Sequence, residues 1–168
     1  PKSFVETGTW NGGRAIEMAL AAFESADEIT YTGYDLFEDA TDKTDEEELN
    51  MKAHVNIKAV EKRLTEFKEK MKKDQNKIFN FKLVKGNTRD VLEEENPDFA
   101  LIGGGNSIIT VQNDYNKLSG ARVKMVDNFF TEDSEKKQPL KKFHGTNILV
   151  QTLEGLKRIV LPSSDPVK

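Results

Sequence analysis

The residues able to do chemistry gather at a few punctuated points of the chain. The first is Phe4-Val5-Glu6-Thr7-Gly8-Thr9-Trp10-Asn11-Gly12-Gly13-Arg14, a short apolar run, an acid and a glycine turn. After it Ala15, Ile16, Ala19, Leu20 and Phe23 recur at helical spacing. In open α/β folds, a strand that passes through a glycine turn into a helix sets backbone N–H groups and a helix N-terminus against a ligand. A dinucleotide site needs G-x-G-x-x-G, with an acid about 20 residues further on for the ribose. Here the pattern is Glu6-x-Gly8-x-x-x-Gly12-Gly13, with the acid two residues before the first glycine. A carboxylate so placed suits a cationic group, such as an α-amino group, better than a phosphate. Further along, Asp35, Asn87, Gly103 and Asp127 each follow a β-rich or apolar run.

The elements that must position these residues alternate. Residues 3–6 read as a strand and 13–24 as a helix, and Ile29 to Asp35 is β-rich and ends in an acid. A polar acidic loop, Glu38 to Glu48, precedes a long charged segment. In that segment Ile57, Val60, Leu64, Phe67 and Met71 step by three and four, one stripe of a helix. Acids before this helix and lysines at its end suit the helix dipole. Ile78 to Val84 alternates as a strand before Gly86-Asn87, and a short helix through Val91 and Leu92 stops at Asn96-Pro97. Phe99 to Ile102 is an apolar strand running into Gly103-Gly104-Gly105. Ser107 can cap a helix carrying Ile108, Val111, Tyr115 and Leu118. Arg122 to Val126 forms a fifth strand ending at Asp127, and lysine-rich residues 132–142 read as loop. Ile148-Leu149-Val150 and Arg158 to Leu161 read as a closing antiparallel pair, with Glu154-Gly155 near its turn. This order predicts an α/β, Rossmann-like doubly wound fold: a mostly parallel sheet with a C-terminal antiparallel strand and helices on both faces. Ligands bind such sheets at the carboxyl ends of the strands, where the strand order reverses. All five predicted parallel strands end on something polar or small: Glu6 and Gly8, Asp35, Asn87, Gly103, Asp127.

Composition narrows the partners. The 168 residues suit a single domain, 1–168, with a real core. A net charge of −4 argues against a nucleic-acid backbone as partner, because that binding runs on clustered Lys and Arg. No apolar stretch reaches the length of a membrane span and no signal-peptide pattern is present, so no membrane partner is expected. The absence of cysteine removes disulfides, thiolate metal sites and cysteine nucleophiles, and fits a cytoplasmic setting. The first strand begins almost at Pro1, so an amino-terminal piece is expected to have been cut away or never to have existed.

Taken in order, these segments resemble class I S-adenosylmethionine-dependent methyltransferases, of the small group with an Ile-Asp-Gly-Gly-His-Ser segment after the fourth strand. The residues that carry the likeness are Val5 to Gly13, Gly33-Tyr34-Asp35-Leu36-Phe37-Glu38, Lys85-Gly86-Asn87-Thr88, Pro97 to Ser107, Val126-Asp127-Asn128 and Gly145 to Val150. The resemblance implies S-adenosyl-L-methionine as cofactor and a small-molecule acceptor. By it Glu6 contacts the ammonium of the methionine part, directly or through water. Gly8 and Gly12 let the backbone approach the cofactor, and Asp35 accepts from the two ribose hydroxyls. Asn87, standing where the family often has Asp, sits with Thr88 by the adenine edge, and Thr7, Leu36 and Gly103 belong to the same cofactor-binding set. Asp127 and Asn106 fall at the acceptor end as the catalytic candidates.

The departure from the family lies at that end. Relatives have Asp-Gly-Gly-His where this chain has Gly103-Gly104-Gly105-Asn106, so a carboxylate and an imidazole are missing. In related metal-dependent O-methyltransferases an acid near this strand end helps hold a divalent cation. Mg²⁺ needs hard oxygen ligands, and only Asp127 remains with Asn128 as a weak helper, so no metal is expected. The lost histidine also removes a base that titrates near neutrality. Alignment of the acceptor with an already activated methyl group remains possible, and an amine acceptor needs little base help. The departure therefore favours such an acceptor, or a non-catalytic S-adenosylmethionine- or nucleoside-binding module. A nicotinamide-dependent oxidoreductase on a similar fold has the glycine spacing against it. His54 and His144 have no partner at ligand spacing, although His144 keeps a small claim as a base. Trp10 and Phe129-Phe130 either wall a pocket or pack. No G-x-S-x-G elbow and no Walker lysine is present.

Overall fold

The computed structural model describes residues 1–50, 52–129, 144–153 and 159. Its centre is a five-stranded sheet of β1 (Ser3–Thr7), β2 (Glu28–Asp35), β3 (Ile78–Lys85), β4 (Phe99–Ile102) and β5 (Val123–Val126). Every pairing is parallel and the order is β3-β2-β1-β4-β5. The strand order therefore reverses between β1 and β4, which opens the carboxyl ends of those two strands as the place for a ligand. The helices are α1 (Gly13–Phe23), α2 (Asp42–Glu47), α3 (Ile57–Gln75), α4 (Thr88–Val91), α5 (Ile108–Lys117) and α6 (Gly145–Thr152).

Alternation along the strands divides the core in two. On one face Phe4, Ile29, Tyr31 and Phe79 meet α1 through Ala15, Ala19 and Phe23, and α3 through Val60, Leu64, Phe67 and Met71. On the other Val5, Tyr34, Ala100 and Ile102 pack with Leu92, Leu118 and Ala121. The stripe expected on α3 is thus its buried face. Each large apolar side chain buried there contributes roughly 1.5–3 kcal/mol, and Phe67 meets the Phe79 ring edge-on at 5.2 Å. Asn56 caps the start of α3 by accepting from Lys58 N–H. Lys72 and Lys73 lie in its last turn and Asn76 closes it in the left-handed region, φ 54°.

Two expectations are corrected. The acidic stretch 38–48 is not all loop: a 3₁₀ turn over Phe37–Asp39 is followed by α2. The six residues of α2 bury nothing, and the helix stands on a capping exchange between Thr41 and Thr44. Ile148-Leu149-Val150 is not a strand but lies inside α6, so the described sheet is wholly parallel. Gly145 docks α6 on the start of α5, its N–H donating to the Asn106 carbonyl at 2.6 Å. A β-carbon at Gly145 would lie 2.6 Å from the Ser107 carbonyl oxygen. Of the partner segment 158–161, only exposed Ile159 is described, outside any strand. The lysine-rich stretch 132–142, Glu154-Gly155 and Phe130 lie outside the described residues. No helix among the described residues is long and apolar enough to cross a membrane.

Candidate functional site

At the carboxyl edge of the sheet β1 leaves through Gly8, φ 88°, whose N–H donates to the Tyr34 carbonyl at 2.8 Å. A β-carbon on Gly8 would stand 2.5 Å from the Gly103 carbonyl oxygen and 2.6 Å from Gly104 Cα, so the exits of β1 and β4 touch through backbone alone. The turn continues through Trp10, φ 48°, whose N–H donates to Asp35 Oδ2 at 2.8 Å. Phe37 N–H takes the other oxygen, Oδ1, at 2.7 Å. Asp35 thereby joins the β1 and β2 exits. Each carboxylate oxygen has a second lone pair, so both can still accept. Half-buried Leu36 follows it. Gly12, φ 74°, has a packing reason of its own: a β-carbon there would meet Val60 at 3.1 Å and Leu64 at 3.3 Å on α3.

Glu6 lies on the α1/α3 face of β1 with no exposed surface. Its Oε2 accepts from the Tyr31 hydroxyl at 2.5 Å, and Thr9 Oγ1 lies 3.2 Å from that same hydroxyl. Glu6 Oε1 has no hydrogen-bond partner. Gly33, opposite Glu6 in the β1–β2 register, makes room for this chain: a side chain there would strike Thr9 Oγ1 and the Tyr31 hydroxyl. Burial pushes the Glu6 carboxyl up to about 8, because the charged form loses its hydration. The Tyr31 bond and the Arg14 guanidinium pull the other way, and Asp35 and Asp127 add to the rise. Tyr31, itself buried against Glu6, is held well above its ordinary value and stays a donor.

The glycines after β4 have separate reasons. At Gly103 a side chain would crowd Asp127 and Arg14, which form an ion pair at 2.6 Å. Gly104 lies against the backbone of Thr7 and Gly8. Above Gly105 sits the Glu48 carboxylate, 2.2 Å from where a β-carbon would be. Glu48 reaches across from the end of α2: Oε1 accepts from Thr110 Oγ1 at 2.6 Å and Oε2 from Ser107 N–H at 3.1 Å. Its carbonyl accepts from Asn106 N–H at 3.2 Å. Truncation by Glu48→Ala strands two donors at the start of α5 and is expected to cost about 2–3 kcal/mol. Urea unfolding checks this against Glu47→Ala, an exposed change expected to stay within about 0.5 kcal/mol.

Asn106, Asp127 and Asn128, expected at an acceptor end, do come together. Asn128 Nδ2 donates to Asn106 Oδ1 at 2.7 Å, and Thr146 Oγ1 donates to the Asp127 carbonyl at 2.7 Å. The Asp127 carboxylate is engaged by Arg14. The third strand's residues are used differently. Asn87 caps α4 with its own Oδ1, accepting from Arg89 N–H at 3.0 Å. Thr88 is buried, and its hydroxyl serves Asp114 on α5. Buried Asp114 is raised above the ordinary carboxylate range by desolvation, which the Thr88, Asn113 and Thr7 side chains partly offset. So Thr88 faces the helix beneath it, while Thr7 Oγ1, near the same carboxyl, is buried and makes no hydrogen bond. Two clefts lie at the amino ends of the strands, one beside Ser3, Thr30 and Glu95 and one beside Lys2, Asp27 and Glu28. Neither holds an unpartnered buried polar atom, and the candidate site stays with Glu6.

Neither a protein-family model nor a curated protein matches the chain. The site's chemistry is therefore read from its own groups. Sequence reasoning missed Tyr31, Gly33, Arg14, Glu48 and Asp114. For Tyr31 and Gly33 a signal existed: both share the period-2 face of β2 with Ile29, the face that parallel pairing sets beside Phe4 and Glu6.

Proposed function

We propose that the protein is an S-adenosylmethionine-dependent methyltransferase acting on a small-molecule acceptor. The observation that carries this reading is the bare Glu6 Oε1, the one oxygen of a buried carboxyl left without a hydrogen-bond partner at the strand-order reversal. A buried acceptor left unmade is costly, and a ligand ammonium would complete it with a charge-assisted bond. Asp35, with accepting capacity left on both oxygens, suits the two ribose hydroxyls, and the side-chain-free approach at Gly8 suits a ligand lying against backbone. When bound, the cofactor supplies an electrophilic methyl group on sulfur.

The chain's own residues would then orient. Glu6 fixes the amino end, Asp35 the ribose, and the Asn106–Asn128 pair with Asp127 shapes the acceptor end. None of these side chains is an imidazole, and His144, the cap of α6 next to Gly145, carries no role in this reading; the acceptor that fits is nucleophilic when free, an amine before an alcohol. One observation favours the second reading, a binding module without turnover: Asp127 Oδ2 is paired with Arg14 and Asn106 Oδ1 accepts from Asn128, so both catalytic candidates are already engaged within the chain. Methyl transfer to a panel of small amines, followed by mass spectrometry, separates the two. Asp35→Asn removes one of two charge-assisted acceptors and is expected to weaken S-adenosylmethionine binding roughly tenfold to a hundredfold. An affinity unchanged in titration calorimetry would remove Asp35 from the site.

A further inference from the structure

We propose that the binding of a cationic amino group at Glu6 expels a proton from that carboxyl, so that ligand uptake is coupled to proton release. The inference rests on the cofactor reading above and goes beyond it. Its basis is the enclosure of Glu6. The side chain has no exposed surface, one oxygen accepts from the Tyr31 hydroxyl and the other has no hydrogen-bond partner. The charged groups that face it are Arg14 on α1, Asp35 after β2 and Asp127 after β5. Two of the three repel a negative Glu6, and the guanidinium is shared with Asp127 at 2.6 Å. With no further cation beside it the carboxyl therefore holds its proton at neutral pH, as its rise to about 8 expresses.

An arriving ammonium changes that balance. A cation at Oε1 favours the ionised form, so the Glu6 O–H bond breaks and its electron pair stays on the carboxylate. The proton leaves to solvent and the ligand keeps its own three. Binding should then release close to one proton at pH values below both the Glu6 carboxyl and the ligand's α-amino group, which titrates near 8.

The test is calorimetric titration of S-adenosylhomocysteine into the whole protein at about pH 6.5, once in phosphate and once in imidazole. These buffers differ widely in ionisation enthalpy, so the difference in measured heat counts protons. The expected result is close to one proton released by the wild type and none by Glu6→Gln. Over pH 6 to 7.5 the wild-type affinity should strengthen nearly tenfold per unit. Binding with no proton exchange overturns the coupling and leaves the cofactor reading intact. No binding in either buffer overturns both. Should Glu6→Gln fail to fold, the wild-type proton count decides alone.

Discussion

Glu6→Gln should make the ligand-free protein more stable at neutral pH, not less. The folded chain holds the Glu6 proton up to about 8, whereas the unfolded carboxyl ionises at its ordinary value of 4.5. Between those values the unfolded chain binds fewer protons, so stability falls as pH rises and the full cost is in place above 8. At pH 7 this spans roughly 2.5 units at about 1.4 kcal/mol each. A neutral glutamine escapes that cost, although its amide brings a donor that needs a partner. A net gain of about 2 kcal/mol is therefore expected at pH 7. Urea unfolding of both proteins at pH 4.5, 7 and 8.5 checks it. The advantage should turn into a deficit of about 1 kcal/mol at the lowest pH, where only the amide's cost remains, and grow toward the highest. A variant less stable than wild type at pH 8.5 would mean that Glu6 is ionised and stabilising. The same substitution should weaken ligand binding, the trade of stability for a site that the proposed function requires.

Gly8→Ala should have the largest destabilising effect among the residues of the site. The left-handed backbone, φ 88°, costs alanine about 1 kcal/mol or more. The new methyl group would also stand 2.5 Å from the Gly103 carbonyl oxygen and 2.6 Å from Gly104 Cα, neither of which is the tip of a flexible side chain. One strand exit would have to move, and Asp35 would lose its hold on Trp10 N–H. A loss of about 3–5 kcal/mol is expected, enough to unfold a protein of ordinary stability. Gly13→Ala is the matched control, because its φ is not positive and its β-carbon would meet only Asn11 Oδ1, at 3.0 Å. That change should stay within about 1 kcal/mol. Equal thermal midpoints for the two variants would show that the β1 and β4 exits are not locked together.

Much of the frame was legible because burial imposes periodicity. The five parallel strands and α3 carry apolar residues at the spacing their packing needs, and Val60, Leu64, Phe67 and Met71 are buried as that spacing implies. Where burial does not impose a period, the reading failed. The α2 segment, Asp42 to Glu47, buries no residue and is held by Thr41, Thr44 and the reach of Glu48. Ile148-Leu149-Val150 is three residues of strand-forming type, too short to separate the two periods, and the docking of Gly145 decided for helix. The candidate site divides in the same way. Glu6, Asp35 and Asp127 lie at or beside the carboxyl ends of strands and could be singled out directly. Arg14 and Glu48 reach the site from other elements, and their spacing along the chain gives no sign of Gly103 or Gly105.

Binding of S-adenosylmethionine is the central claim, and isothermal titration of S-adenosylmethionine and S-adenosylhomocysteine into the purified protein, with NAD as control, tests it most directly. The expected result is saturable binding of the first two at about micromolar affinity and no heat from NAD. Binding of NAD in preference to both, or no binding of either sulfur compound, would contradict it.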